Sequence, residues 1–360
     1  MILQKIKHLC KSGFVSLETY MSLCLEQYYN TNVQPLGASG DFITAPEISQ
    51  LFGELLGLWF SEQYQRIGSP EKFYLVELGP GRGTLISDFL RSSSEKFKKA
   101  VLLNFVEVNP YLKELQRKVI YPQKAIWHNS FQECMLQMEK DPLPLLLIAN
   151  EFFDALPIRQ FRIKNSDCYE TGVTFNKKTK EIELAYNKVA PPFSDVFSEK
   201  TDTIWEYSPK TLSILKDIAF YIKKNSGSAL VIDYGENGYG NTLQSVKNHK
   251  KVDSFAFPGY ADITAHVNFS FIIDSLSSLT NISIFGPLEQ GTFLQNLGIE
   301  ILAKKLSSKA QNKKELDYLF SGLYRLTAPS QMGSLFKVIS ILDKKNHHLI
   351  SGFNDDRKNT

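Results

Sequence analysis

The chain has 360 residues, 43% of them hydrophobic and 12% aromatic, enough to bury the core of one large α/β domain with insertions or of two domains. Its net charge of +3, with no dominant basic block, sets nucleic acid aside as a partner. The strongest apolar run, residues 143–149, is far short of a bilayer span, and Cys10, Cys24, Cys134 and Cys168 form no C-x-x-C pair, so neither membrane insertion nor a metal site is expected. The pattern of residues 2–9 and 17–28 predicts two short helices, followed by a polar loop over 30–39. Thr44 and Glu47 have the spacing of a capping box, with Pro46 in the first turn. The helix behind them carries Ile48, Leu51, Phe52, Leu55, Leu56, Trp59 and Phe60 on one face. Ser49, Gly53 and Gly57 run beside that stripe. Interior glycines cost about 1 kcal/mol each, offset either by close helix contact or by a ligand.

Residues 73–90 read FYLVELGPGRGTLISDFL. An apolar strand ends at Glu77 and Leu78, a loop follows with Gly79, Gly81 and Gly83, and then a helix with Leu85, Ile86, Phe89 and Leu90 on one face. Thr84 is a candidate N-cap. Such a loop is either a tight turn or a seat for a ligand approached by backbone N–H groups. The spacing is G-x-G-x-G, not the dinucleotide G-x-G-x-x-G, which disfavours a nicotinamide oxidoreductase. It resembles the first motif of the class I methyltransferases, which bind S-adenosylmethionine.

A second strand, 101–108, brings Glu107 to its end, 26 residues after Gly81. A carboxylate there can accept from both hydroxyls of a ribose, or be a plain surface acid. A helix over 110–119 and a third strand over 124–127 follow. Ser130 and Phe131 then open a helix where an adenine ring could lie. The fourth strand, 143–149, runs into Asn150, Glu151 and Asp154. Strand carboxyl ends of a parallel sheet share one rim, and polar groups there are costly unless paired or used. Residues 158–186 read as antiparallel strands turning near 176–178, 212–222 as a helix, 229–234 as a fifth parallel strand and 237–260 as loop. A helix is expected to begin within 262–269, a short strand at 282–285, helices over 293–302 and 313–324, a β-branched strand over 335–342 and a polar tail from 346.

Six stretches carry a wider resemblance: GDFITAPEISQLFGELLG (40–57), VELGPGRGTL (76–85), ANEFFDALPIRQF (149–161), VIDYGE (231–236), ADITAHVNF (261–269) and MGSLFKVI (332–339). In this order the chain resembles the MidA-like, complex I assembly arginine methyltransferases. It departs from them at Asn109, where the family has serine before Pro110, and at Ala261, Ile263 and Asn268. The resemblance implies a class I methyltransferase (Rossmann-like) α/β fold: a seven-stranded, mostly parallel sheet with a late antiparallel strand, an N-terminal helical segment and inserted hairpin and helical regions. The domain reading is 1–70 as a helical segment packing on the cofactor site, 71–345 as the methyltransferase domain with insertions at about 163–208 and 237–325, and 346–360 as tail.

The cofactor implied is S-adenosyl-L-methionine, contacted by Gly79, Gly81, Gly83, Glu107, Ser130, Phe131 and Asn150, and by Phe42 and Thr44. The substrate implied is an arginine of a respiratory complex I subunit, methylated during assembly, and a homodimer is a further expectation. A guanidinium is a poor nucleophile, and carboxylates forking onto it would hold it in plane. Glu151 and Asp154 are the candidates. His266 is a candidate proton acceptor, or a helix-start histidine bonded to backbone. Two other classes stand beside this one: a methyltransferase acting on another protein or small-molecule nucleophile, and a non-catalytic assembly factor that keeps the fold. Lys5, Lys7 and Lys11 without an early acid fit a mitochondrial presequence, hence a matrix protein; the lack of arginine there fits a bacterial cytoplasm better. Acceptor selection is expected from residues 163–330.

Overall fold

The computed structural model describes residues 2–31, 44–165, 167–193, 203–344 and 350–353; Phe42 and most of the expected loop and tail lie outside them. Contacts divide the chain into two units. One, the central-sheet unit, holds residues 43–152, 214–234 and 273–360; the other, the antiparallel unit, holds 1–42, 153–213 and 235–272. This division cuts within the 1–70 segment, and residues 273–325 fall with the central sheet.

The central sheet is built from β1 (Phe73–Leu78), β2 (Val101–Val106), β3 (Ala125–His128), β4 (Leu145–Asn150), β5 (Gly227–Glu236), β6 (Ile282–Glu289) and β7 (Phe336–Asp343), in the order β6-β7-β5-β4-β1-β2-β3. β7 runs antiparallel between β5 and β6; the other neighbours are parallel. Along this path the sheet has the seven strands the family resemblance implies, with the late antiparallel strand where it was expected. β1 and β4 are buried along their whole length, which explains their unbroken apolar runs. Leu78 lies beside both Val106 and Ala149, so the ends of β1, β2 and β4 are level. Whatever follows each strand therefore meets at one rim.

Six helices of this unit are α1 (Ala45–Ile48), α2 (Gln50–Arg66), α3 (Thr84–Ser92), α4 (Glu95–Ala100), α5 (Pro110–Ile120) and α6 (Phe131–Met138), of which α3 follows β1 and α5 follows β2 at the rim. The expected single helix from Pro46 is two. Ser49 is extended, and its side chain accepts from Leu51 N–H to cap α2. The capping box of Thr44 and Glu47 does not form, because Thr44 makes no side-chain cap bond. The Glu47 N–H that the box would use donates to the Thr44 carbonyl (3.0 Å), and the first helical N–H, that of Ala45, donates to Glu151 Oε1 (2.8 Å). The glycine stripe on α2 is helix contact. A Cβ on Gly53 would come within 3.0 Å of the Leu85 carbonyl, and one on Gly57 within 2.5 Å of the Phe89 carbonyl, both on α3. The helix expected over 293–302 breaks at Gly298 into Gln290–Asn296 and Ile299–Ser307.

In the antiparallel unit, strands Arg159–Lys164, Asp167–Phe175 and Ile182–Val189 form the expected hairpin region, extended by Thr203–Tyr207 and Val15–Ser16. A smaller sheet joins Gln244–Lys247 to Lys250–Val252, both within residues read as loop, and to Asp262–Thr264. The first two helices, Ile2–Leu9 and Leu17–Thr31, contribute Ile2, Ile6, Leu17, Tyr20 and Met21 to this unit's core. The helix expected to begin within 262–269 starts at the last residue of that window, Phe269. Asn268 accepts from Phe271 N–H (3.0 Å), while 262–264 and 267–268 are strands. No helix among the described residues is long and apolar enough to cross a membrane.

Candidate active site

The loop between β1 and α3 turns on three glycines in the left-handed region, Gly79 (φ 64°), Gly81 (φ 55°) and Gly83 (φ 82°). Side chains rarely adopt that conformation, and a Cβ on Gly79 would lie 2.9 Å from the Phe152 ring. Gly83, not Thr84, is the N-cap of α3. The loop is pinned by Gly79 N–H to the Val106 carbonyl (3.0 Å) and Gly83 N–H to the Pro80 carbonyl (2.8 Å). Arg82, the one cation in the loop, pairs with Glu47 of α1 (3.6 Å).

Glu107 stands just past β2 and is buried. Its Oε1 accepts from Asn109 N–H (2.8 Å) and its Oε2 from Gln116 Nε2 (3.3 Å). Burial pushes its carboxyl up, and these bonds pull it back. Asn109 caps α5 by accepting from Tyr111 N–H (2.9 Å) and Leu112 N–H (3.2 Å), with Pro110 next. Asparagine and serine are both good caps, so the departure from the family's serine keeps the function of the position. Ser130 caps α6 by accepting from Glu133 N–H (3.1 Å), and Phe131 is buried beneath it.

At the end of β4, Asn150 Nδ2 donates to Glu151 Oε1 (3.1 Å). Glu151 has φ 51°, a strained value for a residue with a side chain, and such strain gathers at functional positions. Glu77, on β1, is also buried; burial and the Glu107 charge push its carboxyl up to about 8. Asn150 Oδ1, a buried acceptor, and Glu77 Oε2, a buried carboxyl oxygen, have no partner among the described residues. Unpartnered acceptors and two carboxylates beside a glycine loop suit a ligand that brings hydroxyl donors and positive charge. S-adenosylmethionine, with its ribose diol, ammonium and sulfonium, is such a ligand, whereas a pyrophosphate would bring the opposite charge.

The structure thus brings Thr44, Gly79, Gly81, Gly83, Glu107, Ser130, Phe131, Asn150 and Glu151 into one unit. Asp154 and His266 belong to the antiparallel unit, where the Asp154 carbonyl accepts from Ala265 N–H (3.0 Å). His266 does not start a helix. Its N–H donates to Thr242 Oγ1 (2.9 Å), and the residue lines a small cleft with Phe153, Tyr207, Thr211 and Phe271. Burial, with Lys251 nearby, lowers its pKa, which leaves it neutral at pH 7. Sequence reasoning missed Gln116. The signal was present: Leu112, Gln116 and Ile120 form the buried stripe of α5, and an amide in such a stripe asks for a reason.

The sequence profile of a family described as "Putative S-adenosyl-L-methionine-dependent methyltransferase" matches residues 55–288. The chain is similar to the mitochondrial protein arginine methyltransferase NDUFAF7 homolog of Drosophila melanogaster, with 33% identity over 87% of this chain and 77% of that one. The Caenorhabditis elegans homolog is 32% identical over 97% and 89%. A Burkholderia thailandensis protein crystallised with S-adenosyl-homocysteine has a similar fold, with a TM-score of 0.82, 21% identity and coverage of 98% and 94%. The chain belongs to this family of S-adenosyl-L-methionine-dependent methyltransferases.

Proposed function

We propose that the enzyme methylates an arginine of a protein substrate, a subunit of respiratory complex I, and so supports assembly of that complex. The observation that carries the reading is the acceptor-lined rim around the glycine loop, Glu107, Asn150 and Glu151, in a chain whose relatives are named protein arginine methyltransferases. In this reading the backbone of Gly79, Gly81 and Gly83 holds the amino-acid tail of S-adenosylmethionine. Glu107 accepts from the ribose hydroxyls, Ser130 and Phe131 flank the adenine, and Asn150 Oδ1 and the segment at Phe42 and Thr44 close the cofactor's edge. When bound, the cofactor supplies a methyl group on a positively charged sulfur.

The chain's own residues do the rest by positioning. Glu151 is fixed by Ala45 N–H and Asn150 Nδ2, and its carboxylate is the group that holds a guanidinium. Asp154 is proposed as the second carboxylate and His266 as the proton acceptor, both on residue chemistry. With its pKa lowered, His266 stays neutral and able to accept a proton to below pH 6.5. A homodimer is proposed as well, to be read by light scattering. The working compartment is the mitochondrial matrix in a eukaryotic source, as the relatives' names suggest, or the cytoplasm in a bacterial one.

The test is mass spectrometry of complex I subunits incubated with the enzyme and S-adenosylmethionine. Methylarginine is expected, and methyl groups found only on other residue types would overturn the substrate. Glu151→Gln retains an oxygen for Ala45 N–H but loses the charge. Cofactor binding should survive and transfer fall by about 10²–10⁴-fold; undiminished turnover removes Glu151 from the chemistry.

A further inference from the structure

Gln116 is fully buried, yet it makes three side-chain hydrogen bonds, each to a different element. Its Nε2 donates to the Gly81 carbonyl (2.6 Å) and to Glu107 Oε2 (3.3 Å). Its Oε1 accepts from Trp127 Nε1–H (2.7 Å). The last bond fixes which way the amide faces. A flipped amide would aim its oxygen at two acceptors and its N–H groups at an indole donor, losing all three bonds. Trp127 is itself held, edge-on to Phe105 (5.6 Å) and beneath Arg117 (4.5 Å). The Gln116 Cα also lies 3.3 Å from where a Cβ on Gly83 would be, so α5 is in contact with the loop at that point.

Packing alone does not explain a glutamine here. A leucine would suit the stripe of Leu112 and Ile120, and burying an amide is costly unless its bonds are made. What distinguishes this amide is what it joins. One bond goes to the middle of the glycine loop. The other goes to the carboxylate oxygen that Asn109 N–H leaves free, so Glu107 is clamped at both oxygens. We propose that Gln116 is a positioning residue that locks the glycine loop and the Glu107 carboxylate into one register, so that the two ends of an S-adenosyl ligand are held as one unit. The proposal rests on the reading of Glu107 and the loop as the cofactor's seat, and it gives Trp127 the part of orienting Gln116.

The experiment is calorimetric titration of the full chain with S-adenosylhomocysteine and, separately, adenosine, at pH 8 and pH 6, each variant being checked by its melt. Gln116→Glu places a carboxylate against the Gly81 carbonyl and the Glu107 carboxylate. It should weaken both ligands about tenfold or more at pH 8, the loss expected for a charged-group hydrogen bond. The gap to wild type should narrow at pH 6, where the introduced carboxyl takes up a proton and regains a donor. Gln116→Leu should weaken both ligands at both pH values alike. If Gln116→Glu does not fold, Trp127→Phe carries the test: it leaves both acceptors in place but releases the amide, and should cost a few-fold in affinity. Wild-type affinity in folded Gln116→Glu or Gln116→Leu, or in Trp127→Phe where it stands in, overturns the proposal if Glu107→Ala weakens binding about a hundredfold. Wild-type affinity in Glu107→Ala overturns the underlying reading itself.

Discussion

Gly57→Ala is a one-carbon test of how the glycine loop is supported. The added Cβ would lie 2.5 Å from the Phe89 carbonyl oxygen and 3.0 Å from the Phe89 Cα, and would also meet the Ser92 hydroxyl. The hydroxyl can rotate away; the backbone of α3 cannot. Ordinary carbon–oxygen contact needs roughly 3.4 Å, so α2 and α3 must part by close to an ångström. A gap of that order forfeits about a quarter to a half of each dispersion contact across the interface. That interface includes the fully buried Phe60 and Phe89, whose ring centroids are 5.4 Å apart. Overpacking usually costs about 1–3 kcal/mol and occasionally more, and a clash with helix backbone that cannot yield puts it at about 3–4 kcal/mol. Replacing a mid-helix glycine by alanine returns about 1 kcal/mol. The net loss is about 2–3 kcal/mol, or a fall of about 4–12 °C in the melting temperature of the central-sheet unit. Differential scanning calorimetry of the two proteins side by side reads it. A melting temperature equal to or above wild type would show that helix propensity wins and that Gly57 is not there for contact with α3.

Two further outcomes are expected. Because the Glu77 carboxyl is pushed up to about 8, the folded chain holds a proton there that the unfolded chain releases near pH 4.5; unliganded stability therefore falls as pH rises through that window. Glu77→Gln should gain melting temperature over wild type at pH 8 and little at pH 5, and parallel curves would contradict the buried acid. Asn109→Ala should cost about 1 kcal/mol by removing the α5 cap, whereas Asn109→Ser should be nearly neutral, as read by urea unfolding; an equal loss in both would mean that the cap is not what the position supplies.

Elements with long periodicity were legible. The apolar stripe of α2, the buried run of β1 and the glycine loop follow from local chemistry, and so does the level rim once β1, β2 and β4 are known to be parallel neighbours. The errors came from bonds made across the fold. Thr44 and Glu47 have good box spacing, but the Glu47 carboxylate turns to Arg82 on the glycine loop, and the neighbouring Ala45 N–H goes to Glu151, 106 residues away. Around His266 the apolar residues Ile263, Ala265 and Val267 alternate with polar ones, and that strand signal is too short to compete with the helix that starts at Phe269. Gln116 was readable as an amide in an apolar stripe, but its partners Gly81, Glu107 and Trp127 come from three separate segments that only the fold assembles.

The central claim is that the glycine loop and Glu107 together seat S-adenosyl ligands. The most direct measurement is calorimetric titration of S-adenosylhomocysteine into the wild-type chain and into Glu107→Ala. The account predicts one site per chain, weakened about a hundredfold by the loss of a charged acceptor of two hydroxyls. Absence of binding heat in the wild type, or the same affinity in both proteins, would contradict it.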